Sequence, residues 1–262
     1  MSSAQYASLK EKVVLITGAS SGIGAGTARV FAKNGARLAL CGRQENNLKK
    51  VSEECTALGA REVKSLLGDL TDLNCCKKII CDVIEHYGQL DVLVNSAGRL
   101  LNNTIENVTP EQYDDIMNVN TRSIVFLTQY AVPHLTKTKG TIVNVSSVVG
   151  IRSFPGILAY CMSKSAVDQF TKCVALELAS KGIRVNAVNP GVIKTEVHKR
   201  GGMSEAEYKK FLERGKETHA LGRVGEPEEV GNAIAFLASS ESSFITGETL
   251  PVDGGRHVMC PR

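Results

Sequence analysis

Nowhere is this sequence apolar for the ~20 residues that a membrane-crossing helix requires. It also lacks a secretory pattern at its start and any C-x-x-C pair, although it holds 8 cysteines: Cys41, Cys55, Cys75, Cys76, Cys81, Cys161, Cys173 and Cys260. These fall in apolar helix and strand runs, as small buried hydrophobes of a reducing compartment do, so no zinc or redox centre and no other metal is expected. Charge of one sign is missing too. Lys and Arg number 31 against 27 Asp and Glu, a formal +4 that is evenly spread, so neither nucleic acid nor a membrane is expected as a partner. What is present, 43% hydrophobic and 22% charged residues in 262, excludes a disordered, collagen-like or coiled-coil chain. The expectation is one soluble, cytoplasmic α/β unit spanning 1–262.

Short aliphatic runs alternate with longer stretches of helical period, the pattern of repeated βαβ units. The runs predict seven strands near 13–17, 37–41, 62–67, 91–95, 141–146, 183–188 and 248–252. Several are apolar at both alternating sets of positions, as parallel strands covered by helices on both faces must be. Helices are predicted over roughly 23–34, 44–58, 72–87, 110–134, 158–181, 204–218 and 226–238, with Thr109 and Pro110 marking one start. The architecture is therefore a doubly wound parallel sheet. Residues 194–220 stand apart as a highly charged segment and read as an appended lobe.

Directly after the first strand comes Thr17-Gly18-Ala19-Ser20-Ser21-Gly22-Ile23-Gly24, opening into a helix. Glycines there permit a tight turn and close backbone approach, so free amides at a helix start can meet a pyrophosphate. Gly18, Ser20, Ser21, Gly22, Ile23 and Gly24 are thus candidate ligands of a dinucleotide. At the end of the second strand the acid that would accept from an NAD ribose is absent, and Arg43 stands there instead. Arg43, helped by Ser20, suits a 2′-phosphate, which favours NADP(H) and leaves NAD(H) as the alternative; Glu45 nearby is a reason for restraint. Asp69 and Leu70 after the third strand suit the adenine, with Asp69 accepting from its amino group. Asn95, Ala97 and Gly98 after the fourth occupy the loop beside the cofactor.

Tyr160 and Lys164 are spaced i,i+4 on a predicted helix and so share one face. An ammonium there lowers the pKa of the phenol towards neutrality, where it can exchange protons. Ser147, thirteen residues upstream, is placed to hydrogen-bond a carbonyl or hydroxyl, and Asn120 to hold the next link of a water relay.

These residues together resemble the short-chain dehydrogenase/reductases of the single-domain kind. The resemblance covers nearly the whole chain: the glycine-rich turn, Asn95-Ser96-Ala97-Gly98, Asn118-Val119-Asn120, Ser146-Ser147, Tyr160 with Lys164, Pro190-Gly191, and Asp253-Gly254-Gly255. It implies a Rossmann-like fold and a catalytic tetrad of Asn120, Ser147, Tyr160 and Lys164, with Ser147 preferred over Ser146 for its spacing from the tyrosine. It further implies that Tyr160 and Lys164 also contact cofactor, that Pro190, Gly191, Ile193 and Thr195 wrap its nicotinamide end, and that the 194–220 lobe is a mobile substrate cover. A homotetramer is implied as well, with the 110–134 and 158–181 helices and the last strand at its interfaces. Ser96, where the family usually has asparagine, and the absence of a basic residue in the glycine turn are departures; cofactor choice therefore rests mainly on Arg43.

The expected substrate is a small molecule, an apolar ketone, aldehyde or secondary alcohol. Its candidate walls are Arg99, Leu100, Leu101, Val149, Ile151, Arg152, Phe154, Val197, Met203, Tyr208 and Phe211. Arg99 and Arg152 could instead meet a carboxylate or phosphate. Lys199, Arg200, Lys209, Lys210, Arg214 and Lys216 in the lobe would suit an acyl-carrier protein or coenzyme A, which makes a 3-oxoacyl thioester reductase the alternative. NAD-dependent steroid or alcohol oxidation stands beside it. A non-catalytic, cofactor-gated scaffold is disfavoured, since a scaffold has no need of the tetrad.

Overall fold

The computed structural model describes residues 5–259; Cys260 lies outside them. Its strands are β1 (Val13–Ile16), β2 (Arg37–Gly42), β3 (Glu62–Leu67), β4 (Val92–Asn95), β5 (Thr141–Val145), β6 (Arg184–Pro190) and β7 (Thr249–Val252). All pair in parallel, in the order β3-β2-β1-β4-β5-β6-β7. The predicted doubly wound sheet is therefore the observed one.

Strand alternation explains why helices sit on both faces. Val14 and Ile16 of β1 point into one core with Ala28 and Phe31 of α1 (Gly22–Lys33), Leu48 of α2 (Glu45–Ala57) and Ile234 of the helix Pro227–Ala238. Val13 and Leu15 point the other way, into a second core with Ile79 and Ile80 of α3 (Leu73–Tyr87). Each of these Val, Leu, Ile and Phe side chains, once buried, stabilises the fold by about 1.5–3 kcal/mol. β3 and β7 are the two edges, and the exposed Glu62 and Ser65 of β3 give it the polar character that an edge strand needs.

The stretch predicted as one helix over 110–134 is three pieces. α4 (Pro110–Met117) starts with a capping box between Thr109 and Gln112, as the Thr-Pro pair signalled. A wider turn over Asn118–Arg122 follows, in which the Ser123 amide reaches back five residues to the Asn118 carbonyl. α5 (Ser123–Thr138) then runs past Pro133 to Lys139, which closes it in the left-handed region at φ 49°. The wide turn carries Asn120, and hydrophobic periodicity does not register so local a change of pitch.

α6 (Leu158–Leu178) ends in a tighter turn over Ala179–Lys181. The charged lobe is two helices, α7 (Val197–Arg200) and α8 (Glu205–Thr218), the second opened by a Ser204–Glu207 capping box. α9 (Pro227–Ala238) closes the fold against α1. Among the described residues, no helix is long and apolar enough to cross a membrane.

The α1–α9 contact is glycine-dependent on both sides. A Cβ at Gly26 would stand 2.6 Å from the Pro227 side chain, and one at Gly231 would stand 3.0 Å from the Thr27 backbone. Gly26→Val is expected to cost about 1–3 kcal/mol by overpacking. Urea unfolding of the variant checks this, and an unchanged midpoint would show that the two helices separate freely.

Candidate active site

The sheet order reverses direction between β1 and β4, and ligands of open α/β sheets bind in the crevice at the carboxyl ends of strands flanking such a point. A cleft of about 1330 Å³ opens there. One wall is the glycine turn. Gly18 adopts φ 65°, and a Cβ on it would press to 2.8 Å from the Ala97 backbone. A Cβ on Gly24 would run into the Gly18 carbonyl. No side chain caps α1; the Ser21 hydroxyl accepts from Arg200 at 3.1 Å. The first amides of α1 are thus left for a ligand, and this cradle fits the pyrophosphate of a nicotinamide dinucleotide. Thr17 fixes the neighbouring loop: its hydroxyl accepts from the Ser96 and Ala97 amides at 3.0 and 3.1 Å.

At the adenosine end, Ser20, Arg43, Asp69 and Leu70 line the same cleft. Arg43 lies 3.6 Å from Asp69, both about half exposed. Burial works to raise the Asp69 carboxyl, but Thr71 hydrogen bonds and the Arg43 and Arg99 charges outweigh it and hold the pKa below the usual value. Ser20 packs on Gly42, where a Cβ would come within 3.0 Å of the serine side chain. A surface ion pair of this kind is worth little, so Arg43 is free to turn towards a phosphate.

Tyr160, Lys164 and Ser147 meet at the floor. Tyr160 and Lys164 share one face of α6, with the ammonium 5.7 Å from the ring centroid. Ser147 leaves β5 and lines the cleft with Tyr160, its hydroxyl accepting from the Val149 amide at 3.3 Å. Lys164 donates to the Val145 carbonyl at 2.8 Å, and burial lowers its pKa to about 8 against the pull of Asp168. Burial likewise pushes the phenol up to about 12, opposed by Ser147. The expected lowering of the tyrosine by the lysine is therefore not what this structure has: burial raises the phenol, and what opposes it is Ser147, not Lys164.

Asn120 lies beneath the cleft, with both ends of its amide committed. Its Oδ1 accepts from the Arg99 amide at 2.8 Å, and its Nδ2 donates to the Arg99 carbonyl at 2.9 Å and the Ser163 hydroxyl at 3.0 Å. Asn95 is also below the wall, donating to Asn144 at 2.9 Å and so tying β4 to β5. Ala97 and Gly98 line the cleft, as do Pro190, Gly191, Ile193 and Thr195.

Of the candidate substrate walls, Arg99, Leu100, Val149, Arg152, Phe154, Val197, Met203 and Phe211 line the cleft. Leu101, Ile151 and Tyr208 do not. The Tyr208 hydroxyl faces inward, accepting from the Thr195 amide and donating to its carbonyl. The basic excess of the lobe is partly neutralised, since Lys199 pairs with Glu196 and Glu205, and Lys216 with Glu213.

Three residues of the floor went unread in the sequence. Asn189 donates to the Ser147 carbonyl and to Asp168, both at 2.9 Å. Burial raises the Asp168 carboxyl, against hydrogen bonds from Ser146 and Asn189 and the charge of Lys164. Gly150 lies against that carboxylate, leaving no room for a Cβ. The one available signal was spacing, as Asp168 falls one helical turn after Lys164 and two after Tyr160.

The fold and floor define a class: a nucleotide-binding α/β protein whose cleft carries a tyrosine, a lysine and a serine. Residues 18–257 match a family model described as Enoyl-(Acyl carrier protein) reductase. The chain is 42% identical over 248 residues to 3-oxoacyl-(acyl-carrier-protein) reductase of Thermotoga maritima, covering 94% of this chain and 98% of that protein. It is 38% identical over 244 residues to meso-2,3-butanediol dehydrogenase of Serratia marcescens, covering 93% and 94%. A solved structure of a short-chain dehydrogenase/reductase of unknown function from Caenorhabditis elegans, with cofactor, superposes with TM-score 0.89 at 35% identity, over 96% of this chain and 97% of that one. This chain belongs to the short-chain dehydrogenase/reductase family. It is accordingly an oxidoreductase that works between CH–OH and C=O groups with a nicotinamide cofactor.

One titration ties the lobe to the cleft. His198 of α7 packs on Phe211 of α8, ring centroids 4.4 Å apart, and burial followed by the Arg256 charge lowers its pKa from 6.5 to about 4. A histidine held neutral contributes stability above its unfolded pKa, and that contribution is lost as pH falls from about 6.5 towards 4. His198→Phe should flatten the fall in Tm between pH 6.5 and 4 relative to the parent; parallel curves would place His198 outside the lobe's stability.

Proposed function

We propose that the chain is an NADP(H)-dependent carbonyl reductase and alcohol dehydrogenase for apolar ketones, aldehydes or secondary alcohols. The observation that carries this reading is the convergence of Tyr160, Ser147 and Lys164 in one cleft with the uncapped amides of α1. Gly18, Ser20 to Gly24, Leu70, Ala97 and Gly98 hold the dinucleotide, Asp69 takes its adenine, Arg43 its 2′-phosphate, and Pro190, Gly191, Ile193 and Thr195 its nicotinamide end. The bound nicotinamide supplies the hydride to a carbonyl carbon, or accepts it from a carbinol carbon.

Ser147 donates to the substrate oxygen, and Tyr160 gives its proton to that oxygen as negative charge develops on it. Lys164 bonds the ribose and returns a proton towards the phenol. Asn120 holds the Arg99 loop over this path, its amide being spent on that backbone and on Ser163. A phenol near 12 is protonated at neutral pH, the form that reduction consumes. Oxidation needs the phenolate and rises with pH.

The 42% identity to the Thermotoga enzyme favours one second substrate class, 3-oxoacyl thioesters. Residues 194–220 serve as the substrate lobe of a single catalytic unit over 1–262. The unit is cytoplasmic and homotetrameric; exposed Leu176 on α6, Val125 on α5 and Phe244 before β7 support interfaces there.

Consumption of NADPH and, separately, NADH over a panel of ketones, aldehydes, diketones, steroids and 3-oxoacyl thioesters tests the reading. Turnover favouring NADPH is expected. Tyr160→Phe should lower turnover by about 10²–10⁴ while nucleotide binding, followed by fluorescence of the reduced cofactor, persists; a fully active variant ends the assignment. Arg43→Ala should cut the NADPH to NADH ratio of kcat/KM by about 10–100-fold, the loss of one charge-assisted contact. An unchanged ratio would remove Arg43 from cofactor choice.

A further inference from the structure

The end of the cleft away from the glycine turn holds three guanidinium groups, from Arg152, Arg214 and Arg256. None of them has a carboxylate within 4.0 Å among the described residues, whereas Arg99 and Arg43, elsewhere in the cleft, pair with Asp115 and Asp69, and Arg200, also without a carboxylate, donates to Ser21 at the glycine turn. Glu217 shares the rim and pairs with none of the three; Glu196 is engaged by Lys199 at 2.8 Å.

Arg256 is the most committed to this place. Its guanidinium lies 4.9 Å from the Phe154 ring centroid, one Nη donates to the Thr218 hydroxyl at 3.3 Å, and its buried Nε has no partner. Burial lowers its pKa, opposed by the nearby Asp253 carboxylate and reinforced by the Arg214 charge. With a spare buried donor, a second cation beside it and the Asp253 carboxylate hydrogen-bonded to His257 instead, this half-buried guanidinium has the capacity to receive a further anion. The segment that bears it is held in place. Asp253 accepts from the His257 amide at 2.6 Å and its Nδ1 at 2.9 Å, and Arg152 donates to the His257 and Met259 carbonyls. Apolar Val149, Phe154, Met203, Phe211 and Met259 line the same cleft as these cations and Tyr160.

We infer that the substrate is an amphipathic oxo or hydroxy acid, with its carbonyl or carbinol at Tyr160 and Ser147, an apolar body across the middle, and a carboxylate received by Arg256 with Arg214 and Arg152. This rests on the reductase reading above. It replaces a plain apolar ketone by an acid, and the carboxylate forms charge-assisted bonds that a neutral ketone cannot.

The test has two readouts on the full chain. In the first, oxodecanoates with the carbonyl at carbon 4, 6 or 9 are compared with their methyl esters in NADPH and NADH consumption. At least one acid should exceed its ester, and Arg256→Met should lower that acid-to-ester ratio of kcat/KM by about 10–100-fold. Arg214→Met, at an exposed position, should lower it by less, and Arg256→Lys should retain part of it. In the second, calorimetry compares decanoate with decanamide: the parent should bind the acid more tightly, and Arg256→Met should not distinguish them. Equal treatment of acids and esters, or an acid preference that survives both methionine variants, overturns the inference and leaves the reductase reading standing. Absence of any carbonyl turnover overturns the reductase reading, while the calorimetric preference still decides whether the anion site exists.

Discussion

The floor of the cleft depends on one buried cation. Lys164 is 3% exposed, and an ammonium so far removed from water needs directed acceptors and a counter-charge. It finds a strand-end carbonyl, Val145, and below it Asp168, one turn further along α6. Asp168 is itself buried and takes a hydrogen bond from Asn189 on β6, whose amide also holds the Ser147 carbonyl. The serine's position beside Tyr160 thus follows from supporting the lysine. Removing any member strands a buried polar group, so the network is held together by the cost of breaking it more than by the gain of each bond.

Burial also sets the proton inventory. With the phenol near 12 and the ammonium near 8, both groups carry protons at neutral pH. That suits reduction, in which the developing alkoxide must find a proton at once. The i,i+4 spacing correctly placed the two side chains on one face, but spacing carries no information on dielectric. Pairing alone lowers the tyrosine; the same walls that exclude water raise it.

The sheet was legible because parallel strands buried on both faces leave unbroken aliphatic runs, and β1 and β5 are such runs. The wide turn at Asn118–Arg122 was not, since it shifts the helix by a fraction of a turn while apolar spacing on either side continues. Tyr208 read as a substrate wall because aromatic residues on an amphipathic helix look alike from either side; its hydroxyl is taken by the Thr195 backbone. Asp168, Asn189 and Gly150 act on one another across α6, β6 and the turn after Ser147, a relation that no local pattern expresses.

The two halves of the cleft are built from different materials, backbone in one and side chains in the other. The nucleotide half is made of backbone: glycines without Cβ clearance, helix-start amides, and a threonine bridging two strand exits. Such a surface tolerates few substitutions, since the backbone leaves no room for a Cβ. The other half is made of side chains from the lobe, the turn before α6 and the segment after β7, resting on contacts such as Arg256 over Phe154. Those elements can exchange residues without disturbing the sheet. Substrate choice therefore resides where the chain is least constrained by its fold, and the charges left unpaired there say more about the substrate than the motifs do.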